Sequence, residues 1–113
     1  MVFLLALLFI KHYFVDFVWQ TDEMVASKGK FGEWKGIEHS LQQGLLTLLV
    51  FSLFVNFPLA VMLGAIDFVL HYLIDWTKMN YGNRDISNKL FWNHLGLDQL
   101  AHSLTYLGLL CLL

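Results

Sequence analysis

Residues 58–79 read PLAVMLGAIDFVLHYLIDWTKM, and this stretch decides the fold class. Spanning ~30 Å of hydrocarbon takes ~20 apolar helical residues, which the segment supplies. Its only ionisable residues are Asp67, His71, Asp75 and Lys78. Spacings of four and three keep these on one face of a helix. An ionisable group in hydrocarbon costs several kcal/mol unless it faces inward and finds a partner. The segment therefore predicts a membrane helix whose single polar stripe meets other helices.

Three further apolar runs surround it: Met1 to Gln20, His39 to Asn56 and Leu90 to Leu113. Each repeats the design. The first carries His12, Asp16 and Gln20, the second His39, Gln43 and Thr47, the third His94, Asp98 and His102. The first run lacks the basic start and A-x-A site of a signal peptide and carries His12 and Asp16, so it reads as a retained helix. Of 113 residues, 58% are hydrophobic and 14% charged, well below the ~25% charged of soluble domains. The expected fold is an all-α membrane protein, a four-transmembrane-helix bundle forming a single integral membrane domain over residues 1–113. A net charge of -2 gives no footprint for nucleic acid, and the lone Cys111 rules out an intrachain disulfide or a cysteine-based metal site.

The connections predict the topology. Asn56-Phe57-Pro58 makes a tight turn, with Pro58 suited to the first helical position. Thr21 to Glu38 and Asn80 to Lys89 are longer and polar, and Asp22 to Lys28 suits a short surface helix capped by Thr21. All seven Lys and Arg lie at or beyond the helix ends bearing these loops, provided Lys11 snorkels. The positive-inside rule then places that face in the cytoplasm and both termini on the other side of a cytoplasmic (inner) membrane.

Up-down connectivity brings His12, Asp16, His39, His71, Asp75, Asp98 and His102 to one depth, near the cytoplasmic face. A 59-residue shift lays residues 1–54 on 60–113, placing His12-Tyr13 on His71-Tyr72, Asp16 on Asp75, His39 on Asp98 and Gln43 on His102. This internal repeat predicts two related helical hairpins, with the functional site at their interface.

Imidazole and carboxylate together suit Zn, Mn or Fe, and facing helices build one- or two-ion centres from such residues. The seven residues are the expected ligands of one or two divalent ions. Lys78 can neutralise developing negative charge, and Gln20 and Gln99 can orient ligands. At headgroup depth, the expected activity is metal-dependent hydrolysis of a lipid or lipid-linked substrate. The alternatives are a non-enzymatic haem, metal or proton carrier, or a structural subunit of a larger membrane complex or homo-oligomer. Bis-His haem leaves Asp16, Asp75 and Asp98 without a role.

The ordered pattern His12-x3-Asp16-Phe17-x2-Gln20-Thr21, Lys28, His39, His71-x2-Ile74-Asp75-x2-Lys78 and Asp98-Gln99-x2-His102 resembles a family of small bacterial and phage membrane proteins. That family is catalogued as a domain of unknown function, so the resemblance implies a membrane location and no activity. The residue types, without an ordered motif, are also similar to membrane-bound metal-dependent hydrolases.

Overall fold

A computed structural model describes residues 1–113, and all of its regular structure is helical. Helix α1 spans Val2–Tyr13 and runs straight into a π-helical turn, Phe14–Val18. A short α2, Asp22–Ser27, precedes α3, Trp34–Ser52. Helices α4, Phe57–Tyr81, and α5, Lys89–Cys111, complete the chain.

Local chemistry explains the boundaries. Thr21 Oγ1 accepts from the Met24 N–H at 3.2 Å, opening α2 as its capping preference requires. Asn56 Oδ1 accepts from the Leu59 N–H at 3.0 Å, so α4 begins at Phe57 and Pro58 is its second residue rather than its first. Helix α3 starts at Trp34, a turn before the expected His39. His39 therefore sits inside regular helix, fully buried, rather than at a fraying end.

Helix α2 lies at the surface as expected, with Asp22, Glu23, Val25 and Ala26 exposed, but its inner face is packed down. Met24, Ser27 and the following Lys28 are all buried. Gly36 of α3 lies against this segment so closely that a Cβ there would be 3.1 Å from the Ser27 carbonyl oxygen. Helices α3 and α4 meet through Gly44 and Gly64, where a Cβ on Gly64 would fall 2.8 Å from the Gly44 carbonyl oxygen. Small residues at such a crossing let backbones approach, as in helix pairs packed within lipid.

The interior has two zones. One is an apolar cluster including Leu4, Leu8, Phe51, Ala60, Leu63 and Leu109. The other is polar, and it is the larger: 14 buried side chains are polar or charged against 10 that are hydrophobic. Large apolar residues line the outside instead, among them Leu41, Leu45 and Leu49 on α3 and Leu97, Leu100, Leu104 and Leu107 on α5.

One helix, α4, is long and apolar enough to cross a membrane. The expected four spans are not all of that kind. α1 is too short, because the π turn ends it, and α3 and α5 carry too many polar residues for their length. Lys11 also departs from expectation. It does not snorkel outward but is 6% exposed, its ammonium directed into the bundle.

Candidate metal centre

Each helix sends its polar stripe inward. Asp16 comes from the π turn after α1, and π turns recur at functional sites. His39 and Gln43 come from α3, His71 and Asp75 from α4, and Asp98 and His102 from α5. All of them are buried.

Four atoms form the centre. His39 Nε2 lies 2.9 Å from Asp16 Oδ1 and 3.2 Å from His71 Nε2. His71 Nε2 is 3.4 Å from Asp16 Oδ1 and 3.1 Å from Asp75 Oδ2, and His39 Nε2 is 3.6 Å from that same Asp75 oxygen. A tetrahedron with ligands ~2.0–2.1 Å from a zinc-like ion has edges of about 3.3 Å. These five separations are in the range expected between neighbouring ligands of one ion.

A second group adjoins it through Asp75. Asp75 Oδ1 lies 3.2 Å from His102 Nε2, which is 3.5 Å from Asp98 Oδ1. Two sets of atoms, His39–His71–Asp75 and Asp75–Asp98–His102, are each close enough together to hold one ion, and Asp75 belongs to both. Asp98 Oδ1 is buried without a hydrogen-bond partner, a costly state for a carboxylate oxygen unless a cation serves it, whereas Asp75 Oδ2, which also lacks one, has the Lys28 ammonium 3.2 Å away.

His12 stands slightly apart. Its Nδ1 is 2.7 Å from the Tyr106 hydroxyl and its Nε2 is 2.9 Å from Gln99 Oε1 and 3.2 Å from Asp16 Oδ2. It also lies within ligand range of Asp16 and His71. Gln99 occupies the orienting position expected of it, because its Nε2 donates to Asp98 Oδ2 at 3.1 Å. Gln20 does not reach the cluster; its Nε2 donates to the Asp16 backbone carbonyl at 3.0 Å. Lys78 is at the rim, 26% exposed and 3.6 Å from Asp98 Oδ2.

Two buried lysines escaped the sequence reading. Lys28 is buried with its ammonium 3.2 Å from Asp75 Oδ2. Lys11 donates to Gln43 Oε1 at 2.6 Å, Asp67 Oδ2 at 3.0 Å and the Tyr106 hydroxyl at 3.0 Å. Gln43, on the expected polar stripe, donates to Asp16 Oδ1 at 2.9 Å. Tyr106 had a legible signal, since it extends the α5 stripe four residues past His102. Asp67 faces inward with the rest of its stripe, accepting from Thr47 and Lys11.

A family model described as "Protein of unknown function (DUF3307)" matches residues 4–111, nearly the whole chain. The chain belongs to that family. The DUF3307 match embraces every residue of the His/Asp cluster, so the cluster is part of the family domain and not an appendage to it. No curated protein and no solved structure matches this DUF3307 chain.

Proposed function

We propose that this protein is a membrane-embedded metalloprotein with two divalent ions, which hydrolyses a lipid or lipid-linked ester at the cytoplasmic face. The observation that carries the metal assignment is the convergence of Asp16 Oδ1 and Asp75 Oδ2 on His39 Nε2 and His71 Nε2 at 2.9–3.6 Å, the range expected between neighbouring metal ligands. Hydrogen bonding alone serves these atoms poorly. Each Nε2 can carry one proton, yet each faces two carboxylate oxygens and the other Nε2.

The inverted interior supports the membrane setting. A soluble monomer rarely exposes broad apolar rows while burying more polar side chains than apolar ones. The longest dimension, 44 Å, fits a bilayer including its headgroup regions, ~40–45 Å. In this reading α1, α3 and α5 cross beside α4, their polar stripes turned away from lipid. The 59-residue repeat gains support from two matched contacts. His12–Asp16 at 3.2 Å corresponds to His71–Asp75 at 3.1 Å, and Gln43–Asp16 at 2.9 Å to His102–Asp75 at 3.2 Å.

The two sets of ligands suit different roles. Four protein ligands close a shell, which is the pattern of a structural ion. Asp75, Asp98 and His102 provide three, which is the pattern of a catalytic ion with one position left for water. An ion held there supplies Lewis acidity and makes its water acidic. With Asp98 Oδ1 toward the ion, Asp98 Oδ2, held by Gln99 Nε2 at 3.1 Å, would be the oxygen that accepts the proton of an attacking water as that water adds to phosphorus or carbonyl carbon. The proton then goes to the leaving oxygen as its bond breaks. Lys78, at the rim, offsets negative charge on the substrate. With two divalent ions beside Lys28 and Lys78, three carboxylates leave the site positive, favouring an anionic substrate.

Proton conduction fits less well. The chain of hydrogen bonds from His12 through Tyr106, Lys11 and Asp67 stops at Thr47, whose hydroxyl bonds no further side chain. The hydrolase reading is tested by incubating zinc- or manganese-loaded protein with vesicles of defined phospholipids and following products by mass spectrometry. Product formation that is lost in Asp98→Ala and His102→Ala is expected. Stoichiometric metal with no hydrolysis of any lipid class would leave a structural metal clamp.

A further inference from the structure

A groove of about 400 Å³ runs between α4 and α5 on the outside of the bundle. Its walls are apolar, with Leu70, Leu73 and Ile74 facing Leu97 and Ala101. Ala101 opens space that a longer side chain would fill. Its polar end contains Lys78, His94 and Asp98, so it leads to the three-ligand end of the cluster. That volume is within the usual range for a small-molecule site, ~300–1,000 Å³.

The polar end is set for an anion. His94 Nδ1 accepts from the Asn83 backbone N–H at 2.8 Å. That bond fixes the neutral ring with its proton on Nε2, leaving a donor for a ligand. The Lys78 ammonium has three donors, and its carboxylate neighbour, Asp98 Oδ2, is 3.6 Å away, beyond good hydrogen-bond length. A cation, partly offset by the Asp98 carboxylate 3.6 Å away, and a neutral donor thus flank the mouth of an apolar slot, a layout that suits a charged headgroup on a hydrocarbon chain.

We propose that the α4–α5 groove seats one acyl chain of an anionic phospholipid, with its phosphoryl group held by Lys78 and His94. This names the substrate class of the hydrolase proposed above and rests on its membrane placement, but not on occupancy of the metal centre. Bound so, the headgroup lies next to Asp98, and the acyl chain lies along Leu73 and Leu97.

The test is photolabelling. The protein is reconstituted in phosphatidylcholine vesicles containing a small fraction of phosphatidic acid with a diazirine on one acyl chain, irradiated, and mapped by peptide mass spectrometry. A matched phosphatidylcholine probe serves as control. Adducts should concentrate at Leu70 to Thr77 and Leu97 to Ala101, with phosphatidic acid labelling several-fold above the control. Ala101→Trp, or the milder Leu97→Phe, should reduce groove labelling several-fold. Lys78→Gln with His94→Gln should erase the preference for phosphatidic acid. Adducts spread evenly over the exposed leucines of α3 and α5, or equal labelling by both probes, would overturn the proposal. Repeating the measurement after chelation separates the two readings. Persistent selective labelling of metal-free protein upholds the groove whatever becomes of the hydrolase, and its absence from metal-loaded protein overturns the groove alone.

Discussion

The Nε2 atoms of His39 and His71 face each other at 3.2 Å, each also against a carboxylate oxygen of Asp16 and one of Asp75. Helices α3 and α4 can bring the two rings together because Gly44 and Gly64 let their backbones touch. A sequence feature with no chemistry of its own thereby positions the chemical site.

Asp75 spans both ligand sets, so its loss should be the most damaging single change to metal binding. Asp75→Ala should abolish retention of both ions, and Asp16→Ala should lower retention of the central one. His94→Ala should leave metal content unchanged, since its ring bonds the Asn83 backbone outside the cluster. Elemental analysis of the three purified variants checks the order.

Gln99 touches both His12 and Asp98 and orients ligands without supplying one. Removing such an outer partner typically weakens metal affinity ~10–100-fold. Gln99→Ala should show a loss of that size in competition with a metal-binding dye, with the fold retained by circular dichroism. An unchanged affinity would assign His12 and Asp98 no dependence on Gln99.

Lys11 and Asp67 form a buried ion pair at 3.0 Å. Breaking such a pair from one side typically costs about 3–5 kcal/mol because the other charge is stranded. Lys11→Met and Asp67→Leu should each destabilise the protein strongly. The double variant should recover much of the loss. Thermal unfolding in detergent measures the cycle, and additive losses would contradict the pairing.

Reporter fusions at Met1 and Leu113 test the spans. Periplasmic activity at both ends is expected from four crossings with the basic loops inside. Activity at opposite sides would mean an odd number of crossings and would remove the four-span bundle.

Much of the site was legible because long apolar runs make the polar residues within them conspicuous. The fourfold spacing in α4, Asp67–His71–Asp75, put three buried residues on one face, as found. The helical class followed from the same runs. Lys11 was misread because snorkelling is the ordinary fate of a lysine near a helix end, whereas here Asp67, 56 positions away, holds it inside. Lys28 carried no periodic signal, since its position depends on how α2 packs onto α3 through Gly36. The π turn at Asp16 leaves no mark in hydrophobic periodicity, and it shortened α1 below the length its apolar run implied.

The central claim is that the His/Asp cluster holds metal, and X-ray absorption spectroscopy of protein purified without chelator tests it most directly. The prediction is a stoichiometric divalent metal with nitrogen and oxygen ligands at ~2.0–2.2 Å, lost together with thermal stability on strong chelation. Protein that carries no metal, takes up none on addition of zinc, manganese or iron, and unfolds identically with and without chelator would contradict it.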